Sequence, residues 1–332
     1  MNDAELLTAA QSGDDGAFVR LVEPYRRQLL VHCYRMLGSP VDAEDALQDA
    51  LVDAWRGLGG FEGRSSLRSW LYTVATHASL KTIRRRPARV LPIDYGGSAD
   101  PHDTTSEPIA ESVWLEPYPD EELRYEERES VELAFVAALQ HLPARQRAVL
   151  ILRDVLAFSA REVADLLDTS PASIDSALQR AHQTVEHRIP EQSQQATLQA
   201  LDDEQLHEIV DRYVEAWERA DVDALVSMLT ADAILSMPPW REWYAGRDAV
   251  GVFLATWPMR TGARWRVIPI TANGQLAFAL YDWDANLERN VAHAISVLTL
   301  ERSEIAEITI FRSPDAFTRF GLPEVLETGE NQ

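Results

Sequence analysis

The sequence predicts a multidomain protein in which two all-α domains precede a C-terminal α+β domain. Its 332 residues exceed the roughly 100–200 residues of an ordinary domain, so two or three domains are expected. Apolar residues recur at helical spacing through the first 190 residues, and runs with strand character follow residue 260. A composition of 46% hydrophobic and 25% charged residues is typical of folded domains rather than of a disordered chain.

Residues 1–90 are predicted to form the first helical domain. Apolar residues at helical spacing make one stripe that faces a core: Leu47, Ala50, Leu51, Ala54 and Trp55. A loop then leads into a second helix from Leu67 to about Arg86, because Pro87 stops it. We therefore expect a helical bundle here.

Residues 131–190 are predicted to contain a helix-turn-helix. Ser159 and Glu162 form a capping box, and Ser170 before Pro171 forms a second helix start. The second helix of such a motif enters the DNA major groove, and its first turns read base edges. The polar candidates on that helix are Ser170, Ser173, Asp175, Ser176, Gln179 and Arg180. A plain helical hairpin is the alternative.

Residues 200–328 are predicted to form the α+β domain. It begins with an amphipathic helix, and four strand-like runs follow at 264–271, 276–283, 291–300 and 305–311. Asn273-Gly274 between the first two runs is a strong hairpin signal. A curled antiparallel sheet is expected.

Residues 91–130 carry several prolines and a net charge of −10, which indicates an acidic, extended linker. Such a chain has two open interpretations, a polyanion that occupies a basic channel or a solvated tether. One segment differs, because a Trp and a Tyr among prolines favour an anchor in a pocket. The predicted regulatory contact residues of that anchor are Trp114, Leu115, Pro117 and Tyr118.

The charge of the chain is unevenly distributed. The net charge is −22 overall, but +1 for residues 1–90 and −1 for 131–190, so only these two segments suit a nucleic acid. No apolar run is long enough to span a bilayer and no secretory leader is evident, which favours a cytoplasmic protein without a membrane partner. A single cysteine and histidines without metal spacing predict no disulfide, no metal site and no cofactor.

Two surfaces of the first domain are candidates for binding. The polar face opposite the apolar stripe carries Asp42, Asp45, Gln48, Asp49 and Val52, and it is either a solvated face or a docking surface for a basic partner helix. The second helix ends in a basic cluster with aromatic residues near its start, which suits phosphate contact and base stacking. Its alternative is a solvated helix end with the aromatic residues in the core.

Taken together, these elements resemble the extracytoplasmic function (ECF) class of sigma-70-type factors. The match to region 2 of that family is DAEDALQDALVDAW at 42–55 and FEGRSSLRSWLY at 61–72. The match to region 4 is LPARQRAVL at 142–150, SAREVADLL at 159–167 and SALQRA at 176–181. The resemblance implies a protein that binds core RNA polymerase, through the β′ clamp and β, and directs it to promoter DNA.

The resemblance also implies roles for the candidate residues. The acidic face would dock on the β′ clamp helices, and the helix-turn-helix would read the minus-35 element. The loop and second helix would open and read the minus-10 element through the following residues: Arg64, Ser65, Trp70, Tyr72, His77, Lys81, Arg84 and Arg85. His77, Lys81, Asp175 and Ala177 depart from the residue types common in the family, which leaves the promoter sequence open.

The C-terminal domain resembles the SnoaL-like, nuclear transport factor 2-like cone through YVEAW at 213–217, MPPW at 237–240 and WYAGR at 243–247. A sigma factor fused to such a domain resembles a group in which the extra domain regulates the sigma factor in cis, in place of a separate anti-sigma factor. We expect no enzyme activity and no catalytic residues. The alternative is a SnoaL-like small-molecule-binding or isomerase/cyclase-type enzyme with an accessory DNA-binding module, for which the candidate residues are Asp232, Asp282, Asp284 and His293.

Overall fold

The computed structural model describes residues 2–86, 88–103, 107–109, 113–120, 123, 129–186, 188–190 and 192–326. The chain forms two compact units. The first contains Met1–Arg89 and Ala134–Pro190, and the second contains Val90–Leu133 and Glu191–Gln332. In the described ranges, no helix is both long and apolar enough to cross a membrane.

The first unit is all-α. Its helices in chain order are α1 (Asp3–Gln11), α2 (Asp15–Leu37), α3 (Pro40–Gly57), α4 (Leu67–Ile83), α5 (Leu133–Gln140, whose first residue belongs to the second unit), α6 (Ala144–Leu150), α7 (Ala160–Leu166) and α8 (Pro171–Val185). Serine N-caps begin four of them, at Ser39, Ser66, Ser159 and Ser170. Each hydroxyl accepts a hydrogen bond from a backbone N–H of the first turn, which satisfies a donor that the helix leaves unpaired.

The core of the first domain lies between α2, α3 and α4. The predicted stripe on α3 is confirmed at Leu47, Ala50 and Ala54, which are almost fully buried. Trp55 is half-buried and packs on Phe18 of α2, with ring centroids 5.1 Å apart. Apolar contact along these faces is the main force that holds the three helices together.

Helices α7 and α8 form the predicted helix-turn-helix. Both capping-box hydrogen bonds are present at the start of α7, and Asp168 adopts a left-handed conformation in the turn. Val163 and Ile174 are buried between the two helices. The polar face of α8 is therefore turned away from this core.

The second unit contains a strongly bent sheet. Its strands are β1 (Leu229–Ser236), β2 (Trp243–Ala245), β3 (Trp265–Ala272), β4 (Gln275–Asp284), β5 (Arg289–Glu301), β6 (Glu304–Phe311) and β7 (Val325–Leu326). Their order is β2-β1-β6-β5-β4-β3, with β7 paired to β5, and all pairs are antiparallel except β1 with β6. The predicted hairpin is confirmed, because Asn273 and Gly274 take the two positive φ angles that its turn requires.

Five helices accompany the sheet: α9 (Gln194–Ala200), α10 (Asp203–Glu218), α11 (Val222–Val226), α12 (Arg247–Thr256) and α13 (Pro314–Arg319). The apolar face of α10 places Ile209, Tyr213 and Trp217 in the main core of the sheet. The sequence did not predict β1 as a strand. A register shift between Leu229 and Ile234 breaks the alternation of buried and exposed residues by which a strand is recognised.

Candidate functional site

The acidic face of α3 is exposed as predicted at four of its five residues. Asp45, Gln48, Asp49 and Val52 face solvent, and the Val52 side chain is unusually open for an aliphatic residue, at 46% exposure. Burial of the opposite side of α3 fixes the direction in which these four residues point. Carboxylates around an exposed valine are suited to a basic partner helix with an apolar contact at its centre.

Asp42 does not belong to this face, which corrects the prediction. Its side chain is 3% exposed and forms an ion pair with Arg89, whose Nη2 lies 2.5 Å from Asp42 Oδ2. Arg86 pairs with the other carboxylate oxygen of Asp42. Asp42 therefore fixes the segment that follows α4 to the start of α3 and is not available to a partner.

The acidic face and the basic end of α4 share an edge. Lys81 Nζ lies 3.6 Å from Asp49 Oδ2, and an Arg86 nitrogen lies 3.9 Å from Asp45 Oδ2. All four side chains are substantially exposed, and such pairs stabilise a fold by at most about 1 kcal/mol. A binding partner can therefore separate these charges at small cost.

Most of the predicted minus-10 residues are exposed. Arg64 and Ser65 lie in the loop before α4, and His77, Lys81, Arg84 and Arg85 lie along and beyond α4. Partial burial lowers the pKa of His77, which favours its neutral form. Trp70 is half-buried against Phe61, with ring centroids 5.2 Å apart, so one part of its ring remains accessible.

Tyr72 differs from these residues, and the expectation that it is available to DNA is wrong for this conformation. Its side chain is 1% exposed and its ring lies 5.6 Å from the ring of Phe158, at the start of the helix-turn-helix. The guanidinium of Arg68 lies over both rings, 5.0 Å from Tyr72 and 4.8 Å from Phe158. The helix-turn-helix domain thus covers a residue that the resemblance assigns to strand opening.

Arg147 makes a second connection between the two helical domains. This α6 side chain is 2% exposed and donates hydrogen bonds to the carbonyl oxygen of Met36, at the end of α2, and to Gln140. Gln140 in turn donates to the carbonyl oxygen of Arg35. Burial lowers the pKa of Arg147 to about 10, so the guanidinium remains charged at neutral pH.

We call these contacts between the two helical domains the clasp. It consists of the hydrogen bonds of Arg147 and Gln140 to the end of α2, and of the packing of Tyr72 and Arg68 against Phe158. The sequence did not predict it, because an arginine in a helix of mixed polarity has no pattern that distinguishes burial from exposure. Burial of the charged Arg147 is tolerated because its hydrogen bonds replace those it would make to water.

The candidate DNA-reading face of α8 is exposed at all six predicted positions: Ser170, Ser173, Asp175, Ser176, Gln179 and Arg180. Ser170 and Ser173 also hydrogen-bond to each other through their hydroxyl groups, 2.9 Å apart. Ala177, which the sequence comparison placed among unusual reading positions, is 8% exposed and lies on the inner side of the helix. It therefore lies apart from the six exposed positions of α8.

The linker segment around Trp114 is anchored within the second unit. The side chains of Trp114, Leu115, Pro117 and Tyr118 are all buried. Asn273, in the β3–β4 turn, accepts a hydrogen bond from the Tyr118 N–H over 2.8 Å and donates its own N–H to the Tyr118 carbonyl over 2.9 Å. The described part of the linker is thus bound to the sheet and is not a free tether.

Further hydrogen bonds extend this anchor along the linker. Asn273 Nδ2 donates to the carbonyl oxygen of Val131, and the Gly274 N–H donates to Asp120, over 2.6 and 2.7 Å. The Leu133 N–H donates to Gln275 Oε1 over 2.8 Å. A single hairpin turn therefore binds the middle and the end of the linker, and we call these contacts the linker anchor. The Asn-Gly motif predicts the hairpin turn, but it does not indicate that the turn also binds the linker.

The candidate catalytic residues of the sheet domain are only partly brought together. Asp282 and His293 line one cavity, whereas Asp232 is exposed and Asp284 accepts hydrogen bonds from backbone N–H groups of the next turn. Burial lowers the pKa of His293 to about 3 and raises the pKa of Asp282. Among the described residues, no group of histidine, cysteine and carboxylate side chains is arranged to hold a metal ion.

Family models match all three parts of the chain. Sigma-70 region 2 matches residues 21–89, the sigma-70 region 4 model matches residues 132–184, and the SnoaL-like domain model matches residues 210–308. The chain is 41% identical over 320 residues to the ECF RNA polymerase sigma factor SigG of Mycobacterium tuberculosis, which covers 94% of this chain and 85% of SigG. The chain belongs to the ECF family of RNA polymerase sigma factors. It is a promoter-recognition factor for transcription initiation.

One further relative and one solved structure are similar to the chain, and the structure bears on the fold. The ECF sigma factor SigM of M. tuberculosis is 32% identical to this sigma factor over 182 residues. The aligned region covers 54% of this chain and 81% of SigM. The crystal structure of M. tuberculosis SigJ has the same fold, with a TM-score of 0.61 at 22% identity over 92% of this chain and 100% of SigJ. The two all-α domains and the α+β cone predicted from the sequence are thereby confirmed.

The buried pair generates a stability prediction. Replacing Asp42 with asparagine leaves Arg89 buried without its counter-charge, so Asp42→Asn is expected to lower the free energy of unfolding by about 3 kcal/mol. Asp45→Asn, on the exposed side of the same helix, is the matched control and is expected to change it by about 0.5 kcal/mol or less. Urea denaturation followed by circular dichroism measures both. Equal effects of the two substitutions would contradict the assignment of Asp42 to a structural role.

Proposed function

We propose that this sigma factor binds the β′ clamp of core RNA polymerase through Asp45, Gln48, Asp49 and Val52. The observation that carries the proposal is the exposure of all four residues on one side of α3. Opposite charges at such a surface mainly raise the association rate and fix the orientation of the partner. The buried Asp42 supports the surface indirectly by holding the end of α4 beside it.

We further propose that two separate surfaces contact promoter DNA. Arg64, Ser65, Trp70, His77 and the basic end of α4 would bind the minus-10 element, and the exposed face of α8 would bind the minus-35 element. Because these two domains carry almost no net charge, few counterions would be released and free DNA would be bound weakly. Promoter binding is therefore expected to depend on polymerase.

Simultaneous binding of both elements requires the clasp to open. The minus-35 and minus-10 elements are named by their positions, which differ by about 25 base pairs. At 3.4 Å per base pair this separation corresponds to about 85 Å. The two helical domains that would bind the promoter elements are called the reading domains below. In the described conformation, Tyr72 of the first and Phe158 of the second are in ring contact. The clasped form would therefore be the inactive one, and its opening would also uncover Tyr72.

The SnoaL-like domain is proposed to regulate this opening in cis, in place of a separate anti-sigma factor. The linker Val90–Leu133 joins the two reading domains, and fully extended it would span roughly 145 Å. The linker anchor shortens this reach, because Tyr118, Asp120 and Val131 are bound to a single turn. Release of the linker would allow the reading domains to separate.

We expect the cone to have no catalytic turnover. Asp232 is exposed and does not line the cavity that contains Asp282 and His293. Burial lowers the pKa of His293 to about 3, far below the neutral range in which an acid–base catalyst is effective. The cavity itself supports a second candidate function, which is the binding of a small molecule. That function is compatible with regulation in cis.

Charge reversal tests the polymerase contact. The variant Asp45→Arg/Asp49→Arg is expected to lose at least tenfold in affinity for core polymerase, because two carboxylates of the docking surface become repulsive. Fluorescence anisotropy with the labelled full-length protein measures binding, and run-off transcription measures activity. The double variant Glu208→Arg/Glu215→Arg on α10 makes the same change in net charge and is expected to bind as the wild type does. If the two double variants behaved alike, the docking surface would be wrongly assigned.

The linker anchor gives a prediction about activity. Asn273→Gly keeps the left-handed turn conformation but removes the side-chain hydrogen bonds to Tyr118 and Val131, each worth about 1 kcal/mol. We expect faster proteolysis of the linker and a severalfold increase in promoter-dependent transcription. Asn286→Gly, in the exposed turn after β4, is the control and is expected to change neither. A loosened linker without a change in transcription would refute regulation through this anchor.

A further inference from the structure

The sheet domain contains a half-open cavity of about 470 Å³ that lies outside the proposed polymerase- and DNA-binding surfaces. This volume falls within the range of about 300–1,000 Å³ that is typical of small-molecule sites. One part of the wall is aromatic and consists of Trp217, Phe253, Trp257 and Trp265. Trp257 is 38% exposed at the rim, which is unusual for so large an apolar side chain.

The lining also contains four ionisable side chains: Arg260, Asp282, His293 and Arg312. His293 packs edge-on against Trp265, with ring centroids 5.0 Å apart, and its lowered pKa of about 3 makes it neutral at physiological pH. The Arg312 guanidinium lies 4.8 Å from the ring of Trp240, which holds it at the cavity. Ionisable groups thus share the cavity wall with aromatic and aliphatic side chains.

The charges of these groups do not cancel. Arg260 and Arg312 are both positive and Asp282 is the single acidic group among the described residues of the lining, which together have a net charge of +1 when Asp282 is ionised. Burial lowers the pKa of Arg312 and raises the pKa of Asp282, and the attraction between Asp282 and the arginines offsets part of each shift. The excess of positive charge therefore follows from the two arginines of the lining against one carboxyl group.

We propose that this cavity binds a small aromatic carboxylate. The ring system would pack against Trp257 and Trp265, and the carboxylate would accept hydrogen bonds from Arg312 and Arg260. An arginine matches a carboxylate in geometry as well as in charge, and a low-dielectric surrounding strengthens such a contact. A neutral ring compound would leave the positive charge unpaired, and an aromatic cation would be repelled.

Three probes of equal ring size test this proposal on the full-length protein by isothermal titration calorimetry and tryptophan fluorescence. They are 2-naphthoate, 2-naphthalenemethanol and 2-naphthylmethylammonium, which differ in charge. We expect 2-naphthoate to bind at least tenfold more tightly than the alcohol, as a charged hydrogen bond requires, and the cation to bind most weakly. No binding of 2-naphthoate, or equal binding of the acid and the alcohol, would overturn the proposal.

Substitutions of opposite effect locate the site. Arg312→Gln is expected to weaken 2-naphthoate at least tenfold, and Asp282→Asn is expected to tighten it, because removal of the acid raises the positive charge. Arg289→Gln removes an exposed arginine of β5 that does not line the cavity, and it is expected to have no effect. Thermal melting confirms folding, and Arg260→Gln replaces Arg312→Gln if the latter does not fold. Weaker binding by Asp282→Asn, or unchanged binding by the arginine variant, would contradict the proposed polarity.

Discussion

The buried guanidinium of Arg147 is the constraint on which the arrangement of the helical unit depends. It connects the second reading domain to the end of α2 by a hydrogen bond to Met36. In the same arrangement, Phe158 of that domain packs against Tyr72 of the first. A charge in this position is stable only while its carbonyl partners remain in place. The clasp is therefore cooperative, since loss of a few hydrogen bonds would make the remaining burial unfavourable. Such an element suits the proposed change between a closed and an extended form.

A second constraint acts through the linker rather than through the reading domains. Asn273 occupies a turn position that its hairpin requires, and the same side chain binds the linker at Tyr118 and Val131. The hairpin and the anchor thus depend on one residue. Arg312 of the cavity lies directly after β6 and shortly before α13, and Arg319 of α13 lies 3.8 Å from Glu116 of the linker. A ligand of the cavity would therefore bind close to the elements that hold the linker.

Local patterns were sufficient to predict α3, α4, α10, the helix-turn-helix and the β3–β4 hairpin, because caps, periodicity and turn residues act within a few positions of the chain. Pairs that are distant in sequence were not predictable. Asp42 and Arg89 are separated by 47 positions, and Tyr118 and Asn273 by 155. Helical spacing places Asp42 beside exposed acids, and only its distant partner makes it buried. Tyr72 likewise is an aromatic residue near a basic cluster, which is typical of a stacking residue. Its burial depends on Phe158 of another domain.

The central claim is that the reading domains are clasped in the free protein and separate when polymerase binds. Energy transfer between dyes on Glu62→Cys and Gln183→Cys tests it directly. Both positions are exposed, and Cys33 is buried with its thiol pKa raised to about 12, so the dyes attach selectively. We predict one high-efficiency state in the free protein and an increase in distance of several tens of ångströms on addition of core polymerase. An unchanged distance in a polymerase complex that is active in transcription would contradict the account.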